Sequence, residues 1–221
     1  LPIAGDKRNH SAQISKKQID ELRTLVGLNE SNEWSKFEPG SPEDSLCLSR
    51  AHSLKRGTSK AEISAEFPHT AGIAPSGSSS SQEAFGRVLT EISRNEAIRP
   101  YLVTTAPDVA TSTNLGGFIN RHGIFNKDVK REWNNNSIQK WVEGPKGQHI
   151  ELGISEMNLF TLLGQLGISG DISDQPLIPI GTVYDPFVLR GLDAFIYSVY
   201  SGAKFIVAGT PSGITLAPEG G

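Results

Sequence analysis

With one cysteine, one methionine and aromatic residues at only 7% of 221 positions, this chain lacks the raw material for several kinds of chemistry. Cys47 alone can form no internal disulfide, and its place in the polar stretch SPEDSLCLSR argues against a catalytic thiol. Nothing points to a secretory route, so the Asn-x-Ser sequons at Asn9, Asn29 and Asn135 read as chance, and a cytoplasmic setting is expected. No charged opening followed by an apolar stretch marks a leader, and no apolar run nears the ~18 residues of a membrane span. The charge is also nearly balanced, with 21 basic against 24 acidic residues for a net −3. That balance gives no electrostatic footprint for nucleic acid or an anionic membrane. G-x-G-x-x-G, G-x-x-x-x-G-K-[ST] and H-E-x-x-H are all missing, which removes the simplest dinucleotide, P-loop and zincin readings. In GTPSG, Ser212 sits one place too late for a G-x-S-x-G elbow, so the segment reads as a strand-end turn. His10, His52, His69, His122 and His149 share no metal-ligand spacing.

What is present is an α/β alternation in the second two thirds. A hydrophobic content of 37% is low but suffices for a core in one large domain or one and a half ordinary ones. Ser15 and Gln18 form a capping-box pattern ahead of Ile19, Leu22, Leu25 and Val26, predicting a helix over 16–26 that Gly27 stops. Residues 29–72 are rich in Ser, Pro, Glu and Lys and read as an extended connector with one short helical turn. GIAPSGSSSSQ, 72–82, marks a boundary near residue 73. Beyond it, Phe85, Val88, Leu89 and Ile92 share one face of a helix over 82–95, followed by a strand at 101–105. An asparagine-rich excursion at 111–146 reads as a loop region, with Gly116–Gly117 as a flexible point and Trp133 and Trp141 as anchors. Strands at 149–152, 177–183 and 204–208 then alternate with helices at 155–166 and 187–200.

Strands separated by helices of this length imply parallel pairing through right-handed crossovers, and ligands of such sheets sit at the strands' carboxyl ends. Asp108, Gly153 to Glu156, Tyr184 to Phe187 and Gly209 to Gly213 follow these strands and should converge on one edge. The sharpest local signal is HIELGISEMNLF, His149 to Phe160, where a short strand passes through Gly153 into a helix whose first turn carries Glu156. Ser155 can cap that helix, and an acid in the first turn is favoured by ~0.3–1 kcal/mol. On these residues alone, Glu156 serves either the helix start or a bound heterocycle.

Taken together, these stretches resemble thiamine-diphosphate enzymes of the transketolase superfamily, and within it the homodimeric-type pyruvate dehydrogenase E1 components. G-[IV]-x-E on a strand-to-helix turn resembles the motif presenting the cofactor-activating glutamate, which places Glu156 in that role. GDKRNHSAQISKKQIDELR resembles a substrate-contacting histidine loop with its following helix, with His10 at the histidine. LIPIGTVYDPFVLRGLD resembles the segment whose aromatic residue stacks on the aminopyrimidine, mapping to Phe187 with Tyr184 one turn earlier. APDVATSTN sets Asp108 at a strand-end acid near the cofactor. LPIAGDKRNH, TSTNLGGFINRHGIFN and TLAPEGG point to the pyruvate dehydrogenase branch rather than sugar transketolases.

The resemblance implies a parallel-sheet pyrimidine-binding domain at 73–221, incomplete at its C-terminus, preceded at 1–72 by the end of a pyrophosphate-binding domain and the linker. The chain is expected to be a fragment, because the G-D-G motif for pyrophosphate and Mg2+ belongs to an upstream domain and is absent. By the same resemblance, Glu156 would hydrogen-bond N1′ of the aminopyrimidine so that N4′ can remove the thiazolium C2 proton, while Ile154 would be the apolar wedge that keeps the cofactor bent. The implied reaction decarboxylates pyruvate or a related 2-oxo acid and passes the acetyl unit to a lipoyl-bearing dihydrolipoamide acyltransferase. A homodimer is implied as well, with the 221 residues alone inactive. A sugar transketolase would instead need phosphate-binding groups, for which Arg121–His122 are the nearby candidates. A non-catalytic dimerising paralogue is the third reading.

Overall fold

The computed structural model describes residues 4–7, 9, 11–54, 62–70, 77–128 and 140–210, which fall into two compact units, 1–55 and 56–221. In the first, α1 (Lys16–Leu25) begins at the expected capping box: Ser15 accepts from the Gln18 amide, and the Gln18 side chain accepts from the Ser15 amide. Arg23 then gathers Asp20, Glu30 and Glu33 around one half-buried guanidinium. The expected connector is corrected here, because Pro42–Ser53 forms α2, a helix of 12 residues rather than one turn. No apolar periodicity announces it. Its drivers are local: Ser41 caps the Asp44 amide, Pro42 stands in the first turn, and Glu43 and Asp44 complement the helix dipole.

The second unit is a doubly wound α/β structure. After α3 (Ser81–Ile92) and a 3-10 turn (Arg99–Tyr101), the chain continues through β1 (Leu102–Ala106), α4 (Gly116–His122), β2 (Ile124–Phe125), β3 (Glu143–Gly144) and β4 (His149–Glu151). Next come α5 (Glu156–Gly167), α6 (Ser169–Ser173), β5 (Ile178–Tyr184), a 3-10 helix (Asp185–Gly191), α7 (Leu192–Tyr200) and β6 (Ile206–Thr210). All strand pairs in the six-stranded sheet, ordered β3-β2-β4-β1-β5-β6, are parallel, as the alternation of strands and helices required. β1 lies between β4 and β5, so the connection through α5 crosses over it. This change of direction opens a crevice at the carboxyl ends of the three strands.

Strand alternation sorts the core onto the two faces of the sheet. Leu102, Ala106 and Ile180 join Leu89, Leu115, Phe118 and Ile119 beneath α3 and α4, whereas Val183, of opposite parity to Ile180, joins Leu159, Phe160 and Leu163 of α5. Phe195 and Phe205 extend the second cluster in edge-to-face contacts.

Two expectations need revision. The 111–146 excursion contains α4 and the two-residue strands β2 and β3, and Gly116–Gly117 begins a helix instead of marking a flexible point. A Cβ at Gly117 would lie 2.6 Å from Thr90 Oγ1, so glycine permits α4 to lie close on α3. Trp141 does pack against the core on this face, while Trp133 lies outside the described residues. The helix expected over 187–200 is likewise divided, a 3-10 helix through Gly191 preceding α7.

His122 ends α4 with its ring 4.7 Å from that of Phe118 and its buried Nε2 without a hydrogen-bond partner among the described residues. Burial, reinforced by the positive charges of Arg121 and Arg99, lowers its pKa from 6.5 to about 4. Because the folded value is the lower one, the unfolded chain binds more protons between these limits. Stability should therefore fall as pH drops from 6.5 to about 4, and the fall should be shallower in His122→Leu. Denaturant midpoints across this range test the expectation, and parallel curves for the two proteins would contradict it.

Candidate active site

At the end of β1 the chain turns through Pro107 into Asp108, an exposed residue with a positive φ of 62°. Beside it, β4 ends at Glu151 and turns through Gly153, whose φ of 66° lies in the left-handed region that glycine adopts at little cost. The turn leaves Ile154 79% exposed and delivers Ser155 as the cap of α5, its hydroxyl accepting from the Asn158 amide. Glu156 follows in the first helical turn and is only 7% exposed. On the other side of β1, β5 ends at buried Tyr184, whose hydroxyl donates to Ser112 Oγ at 2.6 Å. The 3-10 helix after β5 then carries Phe187, its ring 6.1 Å from that of Tyr184, and Arg190, whose guanidinium lies 4.0 Å over the Phe187 ring.

These groups line one cleft of about 270 Å³: Asp108, Ile154, Glu156, Tyr184, Phe187 and Arg190, with Pro107 and Val109. Five of the six site residues singled out from the sequence thus stand around a single space, and the sixth, His10, lies outside the described residues. Arg190 Nη1 is 3.6 Å from Glu156 Oε1, close enough for charge attraction and too long for a hydrogen bond. The volume falls below the roughly 300–1,000 Å³ of a drug-sized ligand pocket, so the cleft suits one heteroaromatic ring rather than a whole diphosphate-bearing cofactor. An aromatic wall, an exposed isoleucine and a buried carboxyl are a donor set that fits such a ring. No group of His, Cys, Asp and Glu among the described residues is arranged to hold a metal ion.

A second cavity of about 250 Å³ adjoins the first through Asp108 and Val109 and is lined by Thr111, Ser112, Trp141 and Glu151. A wider groove of about 440 Å³ lies between α3 and α4, lined by Glu83, Arg87, Glu91 and Arg94, and shares no residue with this edge. Arg121 and His122, the candidate phosphate ligands of a sugar transketolase, line neither cavity at the strand ends.

Sequence reasoning missed Arg190, although its place three residues after Phe187 on one turn was a usable signal. Glu151 and His149 were missed as a pair too: two residues apart on a strand, they share a face.

The cleft depends on how closely the 3-10 helix lies against α5. A Cβ at Gly191 would meet the Phe160 ring and come within 2.6 Å of the Glu156 carbonyl oxygen. Gly191→Ala should push Phe187 and Arg190 away from Glu156 and destabilise the fold by about 1–3 kcal/mol, as overpacking does. Denaturant titration measures this directly, and an unchanged midpoint would show that the approach is looser than the geometry indicates.

No family model matches the chain. It is similar to the pyruvate dehydrogenase E1 component of Pseudomonas aeruginosa, 23% identical over 141 residues, and to that of Buchnera aphidicola subsp. Schizaphis graminum, 25% identical over 141 residues. Each match covers 62% of this chain and 16% of the relative, so the chain corresponds to a small part of those proteins. The family resemblance carried by the motifs is borne out by both.

Proposed function

We propose that this chain supplies the pyrimidine-binding side of a thiamine-diphosphate site in a 2-oxo acid dehydrogenase of the pyruvate dehydrogenase E1 kind. The observation that carries the reading is the gathering of Asp108, Ile154, Glu156, Tyr184 and Phe187 around one cleft at the carboxyl edge of a parallel sheet. The two relatives named as E1 components support it. In this reading, 73–221 is the pyrimidine-binding domain, and 1–72 closes the preceding pyrophosphate-binding domain and links the two. Pyrophosphate and Mg2+ would be held by that preceding domain, the partner would be a second copy of the protein, and the acceptor a lipoyl group on a dihydrolipoamide acyltransferase.

Thiamine diphosphate, when bound, supplies the chemistry that decarboxylates a 2-oxo acid and carries the two-carbon unit to its acceptor. The chain's residues bind and orient the ring and manage one proton. Phe187 and Tyr184 offer apolar faces for the aminopyrimidine. Ile154, exposed at the cleft mouth, is an apolar prop that ligand would cover, with a gain of ~25 cal/mol per Å² buried. Glu156, nearly excluded from water, holds or shares a proton at the N1′ position of the ring, where hydrogen bonding in a dry site is stronger than in solvent. Arg190 balances the carboxylate's charge from the Phe187 side.

In the holoenzyme, Glu156→Ala should slow C2–H exchange of bound thiamine diphosphate by roughly 10²-fold or more, the usual scale of a positioned proton-transfer group. Proton–deuterium exchange followed by NMR reads this, with circular dichroism as the check on folding. Exchange at the wild-type rate would refute the role given to Glu156. The 221 residues tested alone should decarboxylate no pyruvate, and turnover by them would overturn the assignment of pyrophosphate and Mg2+ to a preceding domain.

A further inference from the structure

The carboxylate of Glu151 sits where two functional turns meet. Its Oε1 accepts from three backbone amides: Asp108 at 2.8 Å, Leu152 at 3.1 Å and Gly153 at 3.3 Å. Oε2 lies 3.3 Å from Nε2 of His149, a fully buried ring whose Nδ1 is 2.9 Å from Thr104 Oγ1. A carboxylate only accepts, so Nε2 carries hydrogen and donates to it. Thr104 and His149 are register partners across β1 and β4, so the chain of contacts is fastened to the sheet itself. Two of the three amides belong to residues with positive φ, Asp108 at 62° and Gly153 at 66°, where the backbone has left the strand ladder and needs another acceptor.

We infer that Glu151 is a positioning residue for the cleft: its carboxylate ties the turn after β1, which presents Asp108, to the turn after β4, which presents Ile154 and Glu156. The inference deepens the pyrimidine-binding reading and rests on it. Amides that share one charged acceptor are held more strongly than by neutral bonds. Burial pushes the Glu151 carboxyl up, but the bonds from His149, Asp108 and Gly153 outweigh it and hold the group below its usual range, as a carboxylate built to stay ionised requires. Ile154 and Glu156 follow Gly153 directly, so slack in this turn passes straight to the groups that would meet the ring.

Amide hydrogen exchange of the cofactor-free chain separates positioning from general stability. Glu151→Ala should speed exchange of the Asp108 and Gly153 amides, one in each turn, roughly tenfold or more, while β5 and α7 keep wild-type protection. Glu151→Gln keeps an oxygen for the three amides and should restore most of the protection in both turns. In the holoenzyme, C2–H exchange should follow the same order, wild type fastest, Gln intermediate and Ala slowest. Wild-type protection of both turns in Glu151→Ala overturns the inference, as does failure of Gln to rescue or loosening spread evenly through the sheet. Such a result alongside an inactive Glu156→Ala would leave the site reading standing. An unaffected Glu156→Ala would remove the reading itself.

Discussion

Burial of the Glu156 carboxyl in the first turn of α5 is the constraint on which the rest of the site depends. Removing an ionisable group from water costs several kcal/mol unless partners replace the lost hydration. Among the described residues, the compensation is a helix N-terminus and a half-exposed Arg190 beyond hydrogen-bond distance, each on the scale of ~0.3–1 kcal/mol. A buried acid at the wall of a cleft, supported this weakly, has capacity left for a partner entering from the cleft side. In the proposed function, a ring nitrogen able to share a proton would match that capacity, and Tyr184 and Phe187, which line the same cleft, would offer it apolar faces.

The fold delivers this arrangement through close approaches and tied turns. Gly191 lets the 3-10 helix lie against the start of α5, bringing an aromatic and a cation beside Glu156. Glu151, anchored through His149 and Thr104 to the paired strands, joins the two turns on the opposite side. The cleft is therefore bounded by backbone fixed from both sides, and its side chains inherit their positions from the sheet.

Much of this was legible in the residues. Long regular strands such as Ile178–Tyr184 and capped helices such as Glu156–Gly167 follow from apolar pattern and Ser155, and parallel pairing follows from their alternation. The convergence of Asp108, Glu156, Tyr184 and Phe187 followed from strand-end placement alone. What escaped was structure held by few or local signals. In α4, the helical spacing of Leu115, Phe118, Ile119 and His122 was masked by the surrounding glycines and asparagines, and tertiary packing against α3 decides the outcome. α2 rests on caps and dipole rather than a buried face, and β2 and β3 are too short to carry a period. Arg190 and Glu151 act through neighbours that only the folded chain brings near.

The account is tested most directly by the structure of the holoenzyme with thiamine diphosphate bound. It requires a Glu156 carboxylate oxygen within about 2.6–3.0 Å of the N1′ nitrogen, and the ring against Phe187 or Tyr184. A Glu156 turned to solvent or committed to an ion pair, with the aminopyrimidine lying elsewhere, would contradict it.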